Sequence, residues 1–340
     1  MSRKPLQGRI EMSHGGGGRA MADLIDHLFL EAFDNPWLRQ LNDQASLDAP
    51  NGRIVMATDA HVISPLFFPG GDIGSLSVHG TVNDVALSGA VPRYLSASFI
   101  LEEGLSIADL QRIVHSMADA AREAGVAIVT GDTKVVERGK GDGVFITTTG
   151  VGVLEADTAW SPSAIRPGDK LILTGTLGDH GITILSLREG LNFDTDLTSD
   201  TQSLNHLIQS LSPWFGDIVT MRDPTRGGLS AVLNEWARAA GCGFVIEEQA
   251  LPIRESVRGA CDFLGLDPLH IANEGKAVIA CRPEVAEALL AAIKARPEGR
   301  DAAIIGEAVA DERQFVRMHT AFGGERMVDW LSGEQLPRIC

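Results

Sequence analysis

At 340 residues the chain is long enough for two domains of ordinary size, and 44% hydrophobic with 5% aromatic residues is a globular composition. The 37 glycines point to many tight turns and to backbone that approaches a ligand or another segment closely. A net charge of −16 leaves no basic stripe to neutralise phosphates, which argues against nucleic acid and against an anionic membrane surface, and any polyphosphate must be held through a metal ion or backbone amides.

In chain order, Ser13-His14-Gly15-Gly16-Gly17-Gly18 precedes a helical pattern with Met21, Leu24, Ile25 and Leu28 on one face. Residues 53–58 read as a strand that ends at Asp59, 79–90 as a helix of small residues, and 94–100 as a strand. Ile107, Leu110, Ile113, Val114, Met117 and Ala121 mark an amphipathic helix that stops at Gly125. A buried strand over 126–130 leads into a turn at Gly131-Asp132-Thr133-Lys134, and 144–153 is a further strand. Ser161 to Asp169 reads as a linker. Beyond it the pattern predicts strands at 170–174, 243–247, 277–281 and 303–308, and helices at 181–187, 204–211, 228–240 and 283–295. Strands and helices mix in both halves, so the expected fold is two α/β (α+β) domains, residues 1–160 and 168–330, followed by a tail over 331–340.

Residues 1–5 are followed by no apolar h-region, and no run of about 18 apolar residues occurs. Cys242, Cys261, Cys281 and Cys340 form no CxxC pair and no zinc-ligand spacing, so a cytoplasmic protein with free thiols is expected. The first three read as inert apolar residues. Cys340 differs because it is the last residue, behind a short polar stretch and Pro337-Arg338-Ile339. Ten extended residues span roughly 30 Å, so such a thiol can serve as a tethered substrate, loaded in one place and processed in another.

Asp59, Asp84, Asp132 and Asp223 stand just after strands or at turns, and such hard oxygen ligands suit Mg²⁺ bridging to phosphates. Taken singly, each reads equally as a turn former or helix cap. Gly15 to Gly18 can wrap phosphate in a nest of amides or form a plain linker. Gly227-Gly228 offers a helix N-terminus or a tight turn. No GxxxxGK[ST] is present. Lys134 and Glu274 are the candidate proton-transfer groups, although spacing alone makes both surface charges. His14, His61 and His79 lie near site segments with no partner at metal-ligand spacing.

Together these segments resemble the HypE family of hydrogenase maturation factors, carbamoyl dehydratases of the superfamily of aminoimidazole ribonucleotide synthetase, thiamine-monophosphate kinase and selenophosphate synthetase. The matching motifs are His14-Gly15-Gly16-Gly17-Gly18, Thr58-Asp59, Thr81-Val82-Asn83-Asp84-Val85-Ala86, Gly131-Asp132-Thr133-Lys134-Val135, Asp223-Pro224-Thr225-Arg226-Gly227-Gly228, Ala272-Asn273-Glu274-Gly275 and terminal Pro337-Arg338-Ile339-Cys340. They span essentially the whole chain. The acidic and glycine motifs carry the superfamily likeness, and the terminal PRIC carries the branch.

The resemblance implies an N-terminal domain that binds ATP and dimerises through a β-barrel-like sheet, a C-terminal α/β domain, and a mobile tail. It implies that the carbamoyltransferase HypF carbamoylates Cys340, that ATP-dependent dehydration makes a thiocyanate, and that the cyano group passes to iron in the HypC–HypD scaffold. It carries ATP contacts over to His14, Gly15, Gly16, Gly17, Gly18, Asp59, Asn83, Asp84, Gly131, Asp132, Thr133, Arg226, Gly227 and Gly228. Mg²⁺ falls to Asp59, Asp84, Asp132 and Asp223. Catalysis falls to Cys340, Lys134 and Glu274, with the roles of Lys134 and Glu274 interchangeable. Two rivals remain at this point: a synthetase of the same superfamily acting on a free small molecule, and a carrier that merely presents a thiol. The first leaves Cys340 idle, and no cysteine precedes Cys242 as a selenophosphate synthetase would require. The second has no use for four acidic positions.

Overall fold

In the computed structural model, residues 6–155, 158–191 and 196–331 are described. The expected tail, with Cys340, lies outside the described residues apart from Leu331. The glycine run ends at Gly18, the residue before α1 (Arg19–Leu24), which continues through a π-helical stretch (Ile25–Phe29) into α2 (Leu30–Phe33). Strand β1 (Arg53–His61) runs two residues past Asp59. A short hairpin, β2 (Phe67–Phe68) and β3 (Gly71–Asp72), then leads into α3 (Ile73–Ala86).

Helix α3 begins six residues before the expected His79, and a capping box explains the difference. Asp72 Oδ1 accepts from the amides of Gly74 (2.7 Å) and Ser75 (3.1 Å), and Ser75 Oγ accepts from the Asp72 amide at 3.1 Å. Only Ser75 and Asp84 of the helix escape full burial. A helix buried on every side has no apolar stripe, so its start left no periodic signal.

Strand β4 (Val91–Glu102), helix α4 (Ile107–Ala124), β5 (Ala127–Val136) and β6 (Val144–Leu154) complete a four-stranded sheet of order β1-β6-β4-β5. Only the β4–β5 pairing is parallel. Helix α3 lies on the inner face and approaches β6 closely. A Cβ added at Gly150 or Gly152 would fall 2.8 Å from Thr81 Cγ2 or 2.4 Å from Val85 Cγ1. The outer face carries Ile54 (63% exposed) and Met56 (71% exposed). The expected turn at Gly131–Lys134 is instead the middle of β5, because parallel pairing with β4 continues through Val136.

The second half contains β7 (Lys170–Leu173), α5 (Asp179–Arg188), α6 (Asn205–Ser210), β8 (Ile218–Arg222), α7 (Gly228–Ala240) and β9 (Gly243–Glu247). It continues with α8 (Glu255–Leu264), β10 (Val278–Cys281), α9 (Ala286–Lys294), β11 (Ala303–Val309), β12 (Val316–His319) and β13 (Glu325–Met327). Strands β8, β12 and β13 and helix α8 were not expected. The seven strands form one sheet, β13-β12-β9-β11-β7-β10-β8. In β7, Leu171 and Leu173 join the core under α7 while Ile172 joins the core under α6 and α9. Helices on both faces make that strand apolar on both sides.

An extended segment, 196–204, straps the two halves together. Ser199 N donates to Pro69 O (2.8 Å), His79 Nδ1 lies 2.9 Å from Thr201 Oγ1, and Asn83 Oδ1 accepts from Leu204 N (2.7 Å). Among the described residues no helix is long and apolar enough to cross a membrane. Cys242, Cys261 and Cys281 are free and buried, with burial pushing the thiols of Cys261 and Cys281 up to about 12, as inert core residues require.

Candidate functional site

Two groups of site residues emerge. The first surrounds β5. Gly15 packs on it so tightly that a Cβ would fall 2.9 Å from both Cβ and N of Val135. The glycine run therefore lies beside Asp132, Thr133 and Lys134. His14 Nδ1 accepts from the Glu11 amide at 3.0 Å, which closes the turn before the glycines. Asp132 Oδ1 accepts from Thr133 N (2.8 Å), and Lys134 Nζ reaches Asp132 Oδ2 at 3.1 Å, both side chains being exposed. Beside them a cleft of about 460 Å³ between α1–α2 and the sheet is lined by Ile25, Phe29, Phe33 and Phe99, with Gly131, Asp132 and Thr133 at its polar wall. Gly131 is required there, since a Cβ would fall 2.3 Å from Ala97 O.

The second group gathers where the two halves meet. Asp59 comes from the end of β1, Asp84 from the last turn of α3, Asp223 from the end of β8, and Glu274 from the loop before β10. Their mutual repulsion shows in their proton affinities. Burial, then Asp223 and Asp59, pushes Asp84 up to about 8, against the opposing pull of Arg222. Burial and Asp59 raise Asp223 to about 6 although its own amide and Arg222 oppose this. Glu274, 4% exposed, is raised well above the ordinary range by burial and then by Asp223, Asp200, Asp59 and Asp84. Its Oε1 is buried with no hydrogen-bond partner.

Two asparagines build this junction. Asn83 Nδ2 donates to Gln202 O (3.0 Å) and Glu274 O (3.3 Å), so its amide joins α3 to the strap and to the Glu274 loop. Asn273 donates from Nδ2 to Pro224 O at 2.9 Å and accepts Gly178 N on Oδ1 at 2.7 Å, fixing the loop after Asp223 against that of Glu274. Gly227 (φ 80°) and Gly228 (φ 62°) turn the chain into α7. A Cβ at Gly228 would meet Leu269 O at 2.4 Å, so only glycine fits. Arg226 is exposed on the same turn. His61 and His79 are buried core histidines, and burial lowers His79 to about 4.

The four aspartates are thus divided within one chain. Asp132 pairs in register with Ser98, Thr147 and Ala60 across the sheet, three spacings or about 14 Å from β1. Its side chain shares the outer face with Lys134, whereas Asp59 shares the inner face with His61 and α3. Asp200, which sequence reasoning passed over, is the buried carboxylate under Glu274; in Ser199-Asp200-Thr201 it carries no signal beyond that of a turn.

The donors fit Mg²⁺. Asp59, Asp84 and Asp223 are hard oxygen donors that repel one another, opposed in part by Arg222. Among the described residues no three His, Cys, Asp or Glu side chains form a finished metal cage. Mg²⁺ does not need one, because it keeps waters and takes one or two carboxylates plus phosphate oxygens.

Comparison with known proteins identifies the two-domain fold and the family. Family models described as "AIR synthase related protein, N-terminal domain" and "AIR synthase related protein, C-terminal domain" match residues 41–154 and 166–319. Carbamoyl dehydratase HypE of Azotobacter vinelandii is 64% identical over 100% of both chains. The crystal structure of hydrogenase maturation protein HypE in complex with ATP superposes with a TM-score of 0.93 at 53% identity, covering 97% of this chain and 99% of that one. HypE in the HypE–HypF complex gives 0.80 at 48% identity, covering 91% and 99%. With both synthetase domains matched and full-length relatives at this identity, the chain belongs to the HypE family of carbamoyl dehydratases, within the AIR synthase-related proteins.

Proposed function

We propose that this chain dehydrates an S-carbamoyl group on its own Cys340 to a thiocyanate at the expense of ATP, supplying the cyano ligands of a [NiFe]-hydrogenase iron. The observation that carries the reading is the buried Glu274 among Asp59, Asp84 and Asp223: a carboxylate with a raised proton affinity and a free Oε1 beside a set of hard oxygen donors. An amide oxygen leaves poorly. Transfer of the γ-phosphoryl group to that oxygen, with loss of one N–H proton, gives an imidate phosphate and ADP. Breaking the C–O bond then releases phosphate, which takes the second N–H proton as the C≡N bond closes.

We assign Glu274 as the base for the first proton, because its buried Oε1 has no hydrogen-bond partner and its proton affinity is raised by burial and by the neighbouring carboxylates. Asp59, Asp84 and Asp223, with Asp132 from the β5 group, would hold Mg²⁺, which would supply positive charge beside the transferring phosphoryl. His14 and Gly15 to Gly18, with Gly131 and Thr133, hold the nucleotide, whose base suits the apolar cleft against Phe29 and Phe99. Arg226 and the amide of Gly227 would face phosphate, whereas the Gly228 amide, expected to do so as well, donates to Thr225 O at 2.9 Å inside the turn; Asn83 supports the junction, and Lys134 would orient the carboxamide.

The separation of Asp132 and Lys134 from the carboxylate junction calls for a second copy. We infer a homodimer formed through the outer face of the β1–β6–β4–β5 sheet, where Ile54 and Met56 are exposed. A two-fold axis parallel to the strands lays β5 of one chain opposite β1 of the other, bringing Lys134 toward the partner copy's junction. The division of labour is residues 1–160 for nucleotide and dimer contacts, 168–330 for the Glu274 wall, and 331–340 as the delivered substrate. HypF loads the thiol, consistent with the related HypE–HypF complex, and HypC–HypD receives the cyano group, in the cytoplasm.

Intact mass of the Cys340-carbamoylated chain before and after Mg-ATP tests the reading. Loss of one water from the C-terminal peptide, with equimolar phosphate, is expected, and none from Cys340→Ala, which still binds nucleotide. An unchanged adduct despite bound nucleotide returns the thiol-carrier reading. A tail that never accepts the carbamoyl group returns the small-molecule synthetase.

A further inference from the structure

We propose that Asp200 is the positioning residue for Glu274: its carboxylate grips the amides of residues 274 and 275 and so sets where the Glu274 side chain enters the junction. This rests on the reading of Glu274 as the base. Asp200 is among the most buried charges of the chain, its side chain 2% exposed. Oδ1 accepts from Glu274 N at 3.2 Å and Oδ2 from Gly275 N at 3.4 Å, so both oxygens serve consecutive amides. Its counter-charge is Lys276 Nζ at 3.9 Å, itself only 10% exposed, and the Lys276 stem lies over Gly175, where a Cβ would fall 2.9 Å from Cδ.

The grip is backbone-tight. A Cβ on Gly275 would fall 2.0 Å from the Asp200 carbonyl oxygen, and Gln202 Nε2 donates to Gly275 O at 3.0 Å. Glu274 is therefore held on both sides of its peptide, by Asp200 at the amide and by Asn83 at the carbonyl. Its own carboxylate has no such partner on Oε1. A base whose buried Oε1 no hydrogen bond orients takes more of its aim from its backbone, and Asp200 grips that backbone. Buried ion pairs contribute little net stability compared with apolar packing, so Asp200–Lys276 is better explained by placement than by stability.

The test compares Asp200→Asn, Asp200→Glu and Glu274→Gln in the full chain carbamoylated at Cys340. Single-turnover dehydration is followed at saturating Mg-ATP, with ATP dissociation constants and melting temperatures measured alongside. Asp200→Asn keeps one acceptor and loses the second, and Asp200→Glu keeps the charge but displaces the grip by a methylene. Both are expected to slow dehydration about tenfold to hundredfold, the effect of misplacing a reacting group by an ångström or less, with ATP affinity within about twofold. In a Glu274→Gln background Asp200→Asn should cost nothing further. A wild-type rate in Asp200→Asn overturns the assignment, as does an equal fall in rate and ATP affinity. Failure of both Asp200 variants to fold makes it a folding residue and overturns it too. A wild-type rate in Glu274→Gln overturns instead the reading of Glu274, and the positioning role with it.

Discussion

Removing one of the crowded carboxylates should stabilise the metal-free protein, and Asp84→Asn is the cleanest case. Asp84 holds its proton up to about 8 in the folded chain against 3.8 for the ordinary carboxyl. Between those values the folded state binds a proton that the unfolded state has released. Stability from this group is therefore fully present below 3.8 and is lost as pH rises toward 8. At pH 7 the difference of some three units, at 1.36 kcal/mol each, is about 4 kcal/mol. Solvent on the open side of Asp84 and its sharing of charge with Asp223 reduce the single-site effect to about 2–3 kcal/mol. At about 1.4 °C per kcal/mol for a chain of 340 residues this is a rise of about 3–4 °C in melting temperature. Thermal unfolding in EDTA at pH 5 and pH 8 measures it, with Glu312→Gln as an exposed control for net charge. Relative to Asp84→Asn, wild type should lose stability from pH 5 to 8, and Mg-ATP should rescue wild type but not the variant. Buried His79, lowered to about 4, contributes an opposite slope that both proteins share and that cancels in the comparison. Equal slopes in wild type and Asp84→Asn refute the carboxylate-crowding argument.

Asn83→Ala should lower stability by about 2–4 kcal/mol, because it removes three hydrogen bonds that span the two halves and leaves Leu204 N and Glu274 O unsatisfied. Chemical denaturation should show it, and a change under 1 kcal/mol would mean the halves are held mainly by other contacts, such as Ser199 N to Pro69 O and His79 to Thr201. Mixing Lys134→Ala with Glu274→Gln chains and allowing subunit exchange should restore about one quarter of wild-type dehydration, since half the dimers are mixed and each has one intact site. Activity no higher than that of either variant alone would count against a site shared between copies.

Most of the architecture was legible because its signals are local. The amphipathic stripe of 107–124 and the Gly125 cap at φ 70° define α4 without reference to anything distant. Strand β7 was readable as a short apolar run between a Pro-Gly turn and a Gly-rich one. What failed to show depended on burial from outside the element. Helix α3 lacks an apolar face because every face is buried, and β12 and β13 are short strands that pair only through β9 and each other. Within the site, each aspartate motif was visible, but the partition among them was not. Whether Asp59 and Asp132 share a face depends on strand parity and on three registers, none of which is written in either motif.

The same parity explains why the outer face matters. From Ile54 to Ala57 strand β1 is apolar on both sides, so alternation cannot be read there. Its inner residues, Val55 and Ala57, pack on Val85, Ala90 and Leu154. Its outer residues, Ile54 and Met56, remain 63% and 71% exposed. A strand apolar on two faces is normally covered on both, and no described residue of this chain supplies the second cover. The same face displays Asp132 and Lys134, the residues that the carboxylate junction lacks. Exposed Ile54 and Met56 and the Asp132–Lys134 pair thus lie on one side of one sheet, and this is the observation from which the proposed dimer is inferred.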